Sequence, residues 1–404
     1  MTGATRKRDL RTGRPVWADS YGLGVPVRTL DAAISVDVVI VGAGISGAFM
    51  AHDLSRDHSV AVLDRRPPLT GSTMASTALL QWEIDLPLTV LAEKIGAEKA
   101  KRAYLRSRAA VEDLKRIVAH ERIVCGLKDK DSLYLAGDTY GYRALEAEAG
   151  ARAAIGLDSE FIGPADLRER FGIDRTGAII SSGSASADPA RLAAGLLRRA
   201  RANGATVYSQ VEVLQAASDP EGVTLITDAG HAVRARQVVF CCGYEFPKGV
   251  PTPGAKVIST WALATKSRTA CPAWLRDTLV WEASDPYLYF RMGGDGRLIV
   301  GGEDEDSPDA HQDEARLKRK CAAIAAKLQA LVPALDFEVD YSWAGAFGES
   351  ATGLPSIAPV PDMDHAWAVM GFGGNGITYS VIASQVVAAA IRGQVDPDAD
   401  LYRV

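Results

Sequence analysis

Cysteine is scarce in this chain: five residues in 404, with no Cys-x-x-Cys spacing and one adjacent pair, Cys241-Cys242, in an apolar run read as a strand. That pattern excludes a disulfide scaffold and points to buried free thiols in a reducing, cytoplasmic compartment. Histidine is equally sparse, six residues with neither His-Glu-x-x-His nor paired-ligand spacing, so no metal site is expected. No Gly-x-Ser-x-Gly nucleophile turn occurs, and no uninterrupted apolar run reaches the roughly 18–20 residues of a membrane span. The most apolar stretch, 377–391, is broken by Thr378, Tyr379, Ser380, Ser384 and Gln385. The first 30 residues carry basic charge but no apolar segment after it, which argues against a secretory signal. A net charge of −5 is small for this length and argues against a nucleic-acid partner. The basic cluster Arg6-Lys7-Arg8 with Arg11 and Arg14 reads as a solvated tail.

What is present is an ordinary globular composition, 47% hydrophobic and 24% charged. A chain of 404 residues passes the roughly 250–300 at which one core stops growing, so two domains are expected. Residues 1–34, punctuated by Gly13, Pro15, Gly22, Gly24 and Pro26, read as an irregular arm. The β-branched run 35–41, a helix over 45–55 and the apolar run 59–63 open a β-α-β unit, which implies a parallel sheet covered on both faces. Helical spacing continues over 88–120 and 142–154, with a strand at 132–136 between them.

From Asp188-Pro189 the α/β pattern returns: a helix to Ala202, a strand at 204–208, then strands at 223–227 and 233–240. Residues 245–345 are strand-rich, at 256–266, 287–291 and 297–301. One helix there sets Leu317, Cys321, Ile324, Leu328 and Leu331 on a single face, an α+β pattern. The C-terminus is strand, turn and helix again, at 367–370 and 377–391. The fold class expected is therefore α/β with an α+β substrate module. A dinucleotide domain is assembled from 35–86, 186–245 and 343–404, and a substrate domain from 87–185 and 246–342.

Gly42-Ala43-Gly44-Ile45-Ser46-Gly47 stands between the first strand and its helix. Gly42 permits the tight turn, Gly44 lets backbone approach a pyrophosphate, and Gly47 lets the helix pack on the strand. The helix start supplies unpaired N–H groups and a positive dipole end. Asp64 ends the second strand about 20 residues on, where an acid accepts both ribose hydroxyls and disfavours a 2′-phosphate. The adjacent Arg65-Arg66 pair reads as solvated.

A second glycine cluster, Gly371-Phe372-Gly373-Gly374-Asn375-Gly376-Ile377-Thr378, directly precedes the last helix. Four glycines in six residues are costly in entropy unless the backbone must come close to something. A helix start there would stabilise negative charge on a reduced isoalloxazine ring, which favours FAD over NAD. The run Gly71-Ser72-Thr73-Met74-Ala75-Ser76-Thr77-Ala78-Leu79-Leu80-Gln81, dominated by small hydroxyl residues, suits a path along phosphates and flavin edge.

Together these segments resemble the D-amino-acid-oxidase-like family of FAD oxidoreductases, which includes glycine, sarcosine and γ-glutamylputrescine oxidases. The resemblance also rests on 187–192, 296–302 and Trp343-Ala-Gly345 to Leu354-Pro355. It implies a Rossmann-like FAD domain of glutathione-reductase type, discontinuous in sequence, beside an antiparallel-sheet substrate domain. It implies FAD contacts at the glycines, at Ser46 and Asp64, and at Arg65, Ser72, Thr73, Ser76, Thr77, Val211, Gly243, Gly345, Asn375, Ile377 and Thr378. Small-amino-acid oxidases carry a carboxylate-gripping arginine soon after Trp-x-Gly; here Phe347 stands in its place.

Either the substrate has no α-carboxylate or another arginine serves, with Arg291 the candidate. Tyr287, Tyr289, Trp343 and Phe347 are the expected pocket wall. None of 346–348 is cysteine, so the resemblance implies FAD held without a covalent bond. The activity implied is hydride transfer from the carbon beside an amine nitrogen to flavin N5. The imine hydrolyses, and O2, or alternatively a quinone or carrier protein, takes the electrons. A flavin-binding subunit without turnover of its own is the remaining alternative.

Overall fold

A computed structural model describes residues 4–248, 250 and 255–403. Strands Ile34–Val41, Val60–Asp64 and Ala232–Phe240 pair in parallel, and their apolar portions at 38–41, 60–63 and 238–240 are buried on both faces, as a covered parallel sheet requires. The full parallel order is Thr206–Ser209, Val60–Asp64, Ile34–Val41, Ala232–Phe240, Ala366–Met370, with Ser356–Pro359 antiparallel at the edge. Val213–Asp219 and Gly222–Thr227 form an antiparallel meander against the first half of Ala232–Phe240. Helices Ile45–Leu54, Pro189–Ala202 and Gly376–Ile391 pack together over this eight-stranded sheet. Asp188 caps the middle one, accepting from the N–H groups of Ala190 and Arg191 at 2.9 Å. The stretch Gly373–Ile391 has the length and hydropathy of a membrane span, yet 67% of it is buried inside the protein, as in a core helix.

The second sheet has ten strands and is mostly antiparallel. Its order runs Arg11–Gly13, Val339–Ser350, Ala255–Thr265, Leu298–Glu305, Leu288–Met292, Thr278–Glu282, Lys128–Leu135, Ala178–Ser186 and Leu79–Leu80, with Ser159–Ile162 also on Ala178–Ser186. Helix Glu314–Leu331 covers one face and buries the five residues its spacing singles out. The fold is thus a mixed α/β structure with two sheets.

Several expectations are corrected. Val339–Ser350 is one continuous strand of the ten-stranded sheet, so the boundary expected at 343 falls inside an element. Leu79–Leu80, expected with the dinucleotide segments, pairs with Ala178–Ser186 in the same sheet. The helical run 88–120 is two helices, Leu88–Ile95 and Ala97–His120, parted by Gly96 at φ 90°. Cys241 and Cys242 follow the strand rather than lie in it, and all five thiols are unpaired.

The arm is no solvated tail. Arg11–Gly13 pairs with Trp343–Gly345, Leu10 and Trp17 are buried, and Lys7 pairs with Glu212. Its partners lie hundreds of residues away, beyond the reach of any local pattern.

Candidate active site

The first glycine turn is fixed by sterics. Gly42 has φ +115°, and a Cβ there would sit 2.2 Å from the Cys241 carbonyl oxygen. A Cβ on Gly47 would lie 1.9 Å from the Gly42 carbonyl oxygen, so the helix can rest on the strand only with glycine there. Helix Ile45–Leu54 begins at Gly44 with no side-chain cap; the Ile45 N–H donates to Thr73 Oγ1 at 2.9 Å. Asp64 accepts from the Ala43 N–H at 2.7 Å and the Arg66 N–H at 2.8 Å, one per carboxylate oxygen. Each oxygen keeps a lone pair for a ribose hydroxyl. Burial pushes this carboxyl above its ordinary pKa. Arg65 and Arg66 are not solvated: both pair with buried Glu245 and donate to the Arg8 carbonyl, which ties in the arm. Burial is the largest single effect on Glu245 and raises it, but the two guanidinium groups with the Arg8 N–H together outweigh burial and hold the carboxyl below its usual range.

Residues Ser72–Ala75 form a short helix beside this turn, and Ser72 Oγ is buried without a partner in the protein. An orphaned hydroxyl in that position suits a phosphate oxygen. The second glycine loop converges from the other side. Gly373 has φ +53°, and a Cβ on Gly373 or Gly374 would lie 2.5 Å from an Asp85 carboxylate oxygen. The Gly374 N–H donates to Asp85 Oδ2 at 2.8 Å, and Asn375 Nδ2 donates to the Glu83 carbonyl. Helix Gly376–Ile391 likewise starts with no side-chain cap. The two uncapped helix starts open into a single cleft of ≈ 1930 Å³, its mouth included. Uncapped N–H groups, the bare backbone at Gly44 and the orphaned Ser72 hydroxyl together fit a dinucleotide such as FAD.

Of the residues singled out in the sequence, Gly42, Gly44, Ile45, Ser46, Asp64, Arg65, Ser72, Thr73, Ser76 and Thr77 line this cleft. So do Val211, Gly243, Gly345, Gly373, Gly374, Asn375, Gly376 and Ile377, with Tyr287, Tyr289, Trp343 and Phe347. Trp343 is fully buried and donates Nε1–H to the Ala75 carbonyl at 2.8 Å, so it braces the wall. Tyr287 and Tyr289 stack with centroids 5.4 Å apart, and the Tyr287 hydroxyl donates to Asp304 Oδ2 at 3.0 Å. Three residues lie elsewhere. Gly47 serves packing, and the Thr378 hydroxyl donates to the Gln81 carbonyl at 2.8 Å. Arg291, 1% exposed, donates to the carbonyls of Thr77 at 2.8 Å and Ala187 at 2.7 Å, under the Trp17 ring. Burial pulls its pKa down to about 9. It is buried behind the cleft wall and is not among the residues that line the cleft.

Sequence reading missed Glu83, Asp85, Tyr244, Thr260, Trp261 and Trp281, all on the cleft wall. A signal existed for the first two. After Leu79–Leu80 the chain alternates, with Gln81, Glu83 and Asp85 lining the cleft while Trp82 and Ile84 are fully buried. That is strand periodicity, with polar residues on one side. Asp85 is exposed to the cleft, and desolvation by the surrounding wall pushes its carboxyl up to about 6.

A two-sheet α/β fold with a dinucleotide cleft between glycine-built helix starts defines a nucleotide-dependent oxidoreductase. The chain belongs to the FAD dependent oxidoreductase (DAO) family, whose model matches residues 37–390, and FAD is its cofactor. It is similar to the gamma-glutamylputrescine oxidoreductase of Escherichia coli, 23% identical over 393 residues, covering 94% of this chain and 89% of the relative. It is also similar to the glycine oxidase of Geobacillus kaustophilus, 25% identical over 375 residues, covering 87% and 92%. Among solved structures, that glycine oxidase superposes with a TM-score of 0.75 at 22% identity over 90% of this chain and 96% of that one. The L-proline dehydrogenase from P. horikoshii gives 0.75 at 17% identity over 92% and 97%. At these identities the superpositions speak to the fold alone.

Proposed function

We propose that this protein oxidises an amine by removing hydride from the carbon beside nitrogen and passing the two electrons to O2, releasing H2O2. The observation that carries the reading is the meeting of two uncapped helix starts in one cleft whose far wall is aromatic. In this reading the parallel-sheet half is a Rossmann-like domain of glutathione-reductase type, and the ten-stranded sheet carries the substrate wall. FAD, when bound, supplies the two-electron acceptor at N5 of its ring.

The chain's own contribution is placement. Gly42 to Ser46, Ser72 and Thr73 would hold the pyrophosphate, and Asp64 the ribose. The Gly373–Ile377 backbone would meet the pyrimidine edge, where N–H groups stabilise accumulating negative charge. Ala346, Phe347 and Gly348 offer no thiol, so FAD is held without a covalent bond. Tyr287, Tyr289 and Phe347 exclude water and orient the α-C–H bond. The amine must be neutral to lend its lone pair; it loses a hydride and a proton, and water then hydrolyses the resulting C=N bond to a carbonyl and an amine.

The test is anaerobic mixing of the yellow holoprotein with a panel of amines, followed by admission of O2. Bleaching by an amine, then one peroxide per substrate, is the expected result. Failure of every amine to bleach the flavin sinks the reading, and bleaching that O2 does not reverse makes the protein a dehydrogenase.

A further inference from the structure

An amine oxidase site must place two things, the reacting nitrogen and whatever else the substrate carries. The second is read from the charges on the wall. Among the described residues lining the cleft, the only cationic side chains are Arg65 and Arg66, both committed to Glu245 beside Asp64 at the dinucleotide turn. Near the second glycine loop the wall carries acids instead.

Glu83 is 2% exposed, and its Oε1 accepts no hydrogen bond. Arg152, its nearest cation at 3.7 Å, is already paired with Glu148 at 2.7 Å. Two carboxylates thus share one guanidinium. Asp85 spends one oxygen on the Gly374 N–H. Asp304, behind Tyr287, has a buried Oδ1 with no partner. Burial first, and then repulsion from Glu349, raises Asp85, and burial with repulsion from Glu349 and Asp85 raises Asp304; among the described residues neither Asp85 nor Asp304 has an ion-pair partner, while Glu349 pairs with Lys256. A buried carboxylate with an unfilled acceptor site, as at Glu83, is costly unless a cation completes it. Trp281, Tyr287 and Phe347 line the same cleft, and aromatic walls favour cation and alkyl-chain binding.

We infer that the substrate is a diamine or polyamine without a carboxylate on the reacting carbon, its second, protonated nitrogen held by Glu83 and Asp85. The reacting nitrogen must be neutral, so an ammonium held by carboxylates can only be the other end. An α-carboxylate finds no arginine, because Arg291 is turned into the protein and Phe347 stands on the wall. This deepens the amine-oxidation reading and rests on it.

The experiment titrates the holoprotein calorimetrically, and anaerobically by flavin absorbance, with three probes. These are a four-carbon diamine, the monoamine of equal length, and the same diamine bearing a carboxylate beside one nitrogen. The diamine is expected to bind at least about tenfold more tightly than either of the others. Asp85→Asn, whose amide oxygen can still accept from the Gly374 N–H, and Glu83→Gln should each erase most of the preference over the monoamine. Equal or tighter binding of the carboxylated probe overturns the inference, as does an unchanged diamine preference in a folded, yellow Asp85→Asn protein. Diamine binding without bleaching upholds the cation site while removing the oxidase reading. Bleaching chiefly by the carboxylated probe does the reverse.

Discussion

Asp85 is the residue on which the second glycine loop depends, and its ionisation is costly in the folded protein. Its folded pKa of about 6 lies above the ordinary 3.8, because burial disfavours the charged form more than the Gly374 N–H favours it. A raised pKa means the stability linked to this proton is fully present below about pH 4 and lost as pH rises through about 6. Removing the titration should therefore help the protein most on the alkaline side. Asp85→Asn is expected to gain in Tm relative to the parent between about pH 4 and pH 7, read by melting both proteins across that range. A constant Tm difference would show that Asp85 does not titrate there.

Phe347 makes the complementary case. It lies on the cleft wall, opposite Ile258 in the adjacent strand. Phe347→Arg supplies the fork that a carboxylate needs and should move the ranking of substrates toward carboxylated amines by about tenfold in flavin-reduction efficiency. An unchanged ranking would remove the side chain from the substrate's surroundings. Arg291 should behave differently from both. Arg291→Met strands the carbonyls of Thr77 and Ala187, at about 1–3 kcal/mol each when buried. Tm and flavin retention should fall while the ranking of substrates stays put, which separates a bracing role from a binding one.

At the scale of elements, the glycine turns set where helices stand. Gly44→Val puts bulk where Thr73 Oγ1 is already 3.0 Å from a Cβ and where a pyrophosphate would lie. The variant should purify folded but colourless, with full yellow colour as the contrary outcome. This part of the site was legible in the sequence because it is local: strand, turn, helix and acid follow within about 30 residues and obey two periodicities. The helix Glu314–Leu331 was legible for the same reason, its apolar face recurring at helical spacing.

What escaped reading was non-local or compositionally disguised. Ala178–Ser186 is a nine-residue strand rich in serine, which propensity favours for turns, and its place is set by ladders to Lys128–Leu135 and Ser159–Ile162. Val339–Ser350 carries two glycines and a serine end. It is a strand because Ala255–Thr265 and the arm take up its edges. Arg291 was misplaced because sequence shows that a strand residue is charged without showing which face it takes. Here Thr77 and Ala187 offer carbonyls inside the protein.

Across the whole molecule the arm joins the two sheets. Arg11–Gly13 forms the edge of the ten-stranded sheet, while the Arg8 carbonyl receives Arg65 and Arg66 from the end of a parallel strand. The Trp17 indole donates to the Ser76 carbonyl at 2.7 Å and lies over Arg291, so the arm also backs the Ser72–Thr77 segment. His311, fully buried, contacts the Asp9 carbonyl at 2.6 Å from the far side. Leu10, Val16 and Trp17 bury apolar surface worth about 1.5–3 kcal/mol each, and loss of the Arg8 N–H from Glu245 and of the Trp17 indole from the Ser76 carbonyl adds to the cost of removal. A chain lacking residues 1–19 is therefore expected to lose most of its flavin and to melt well below the full chain. Loss should begin at the pyrophosphate end, where Arg65, Arg66 and the Ser72 helix lose their backing. A truncated protein that keeps its colour and its Tm would mean that the ladder to Trp343–Gly345 and the indole anchor contribute nothing to the cleft.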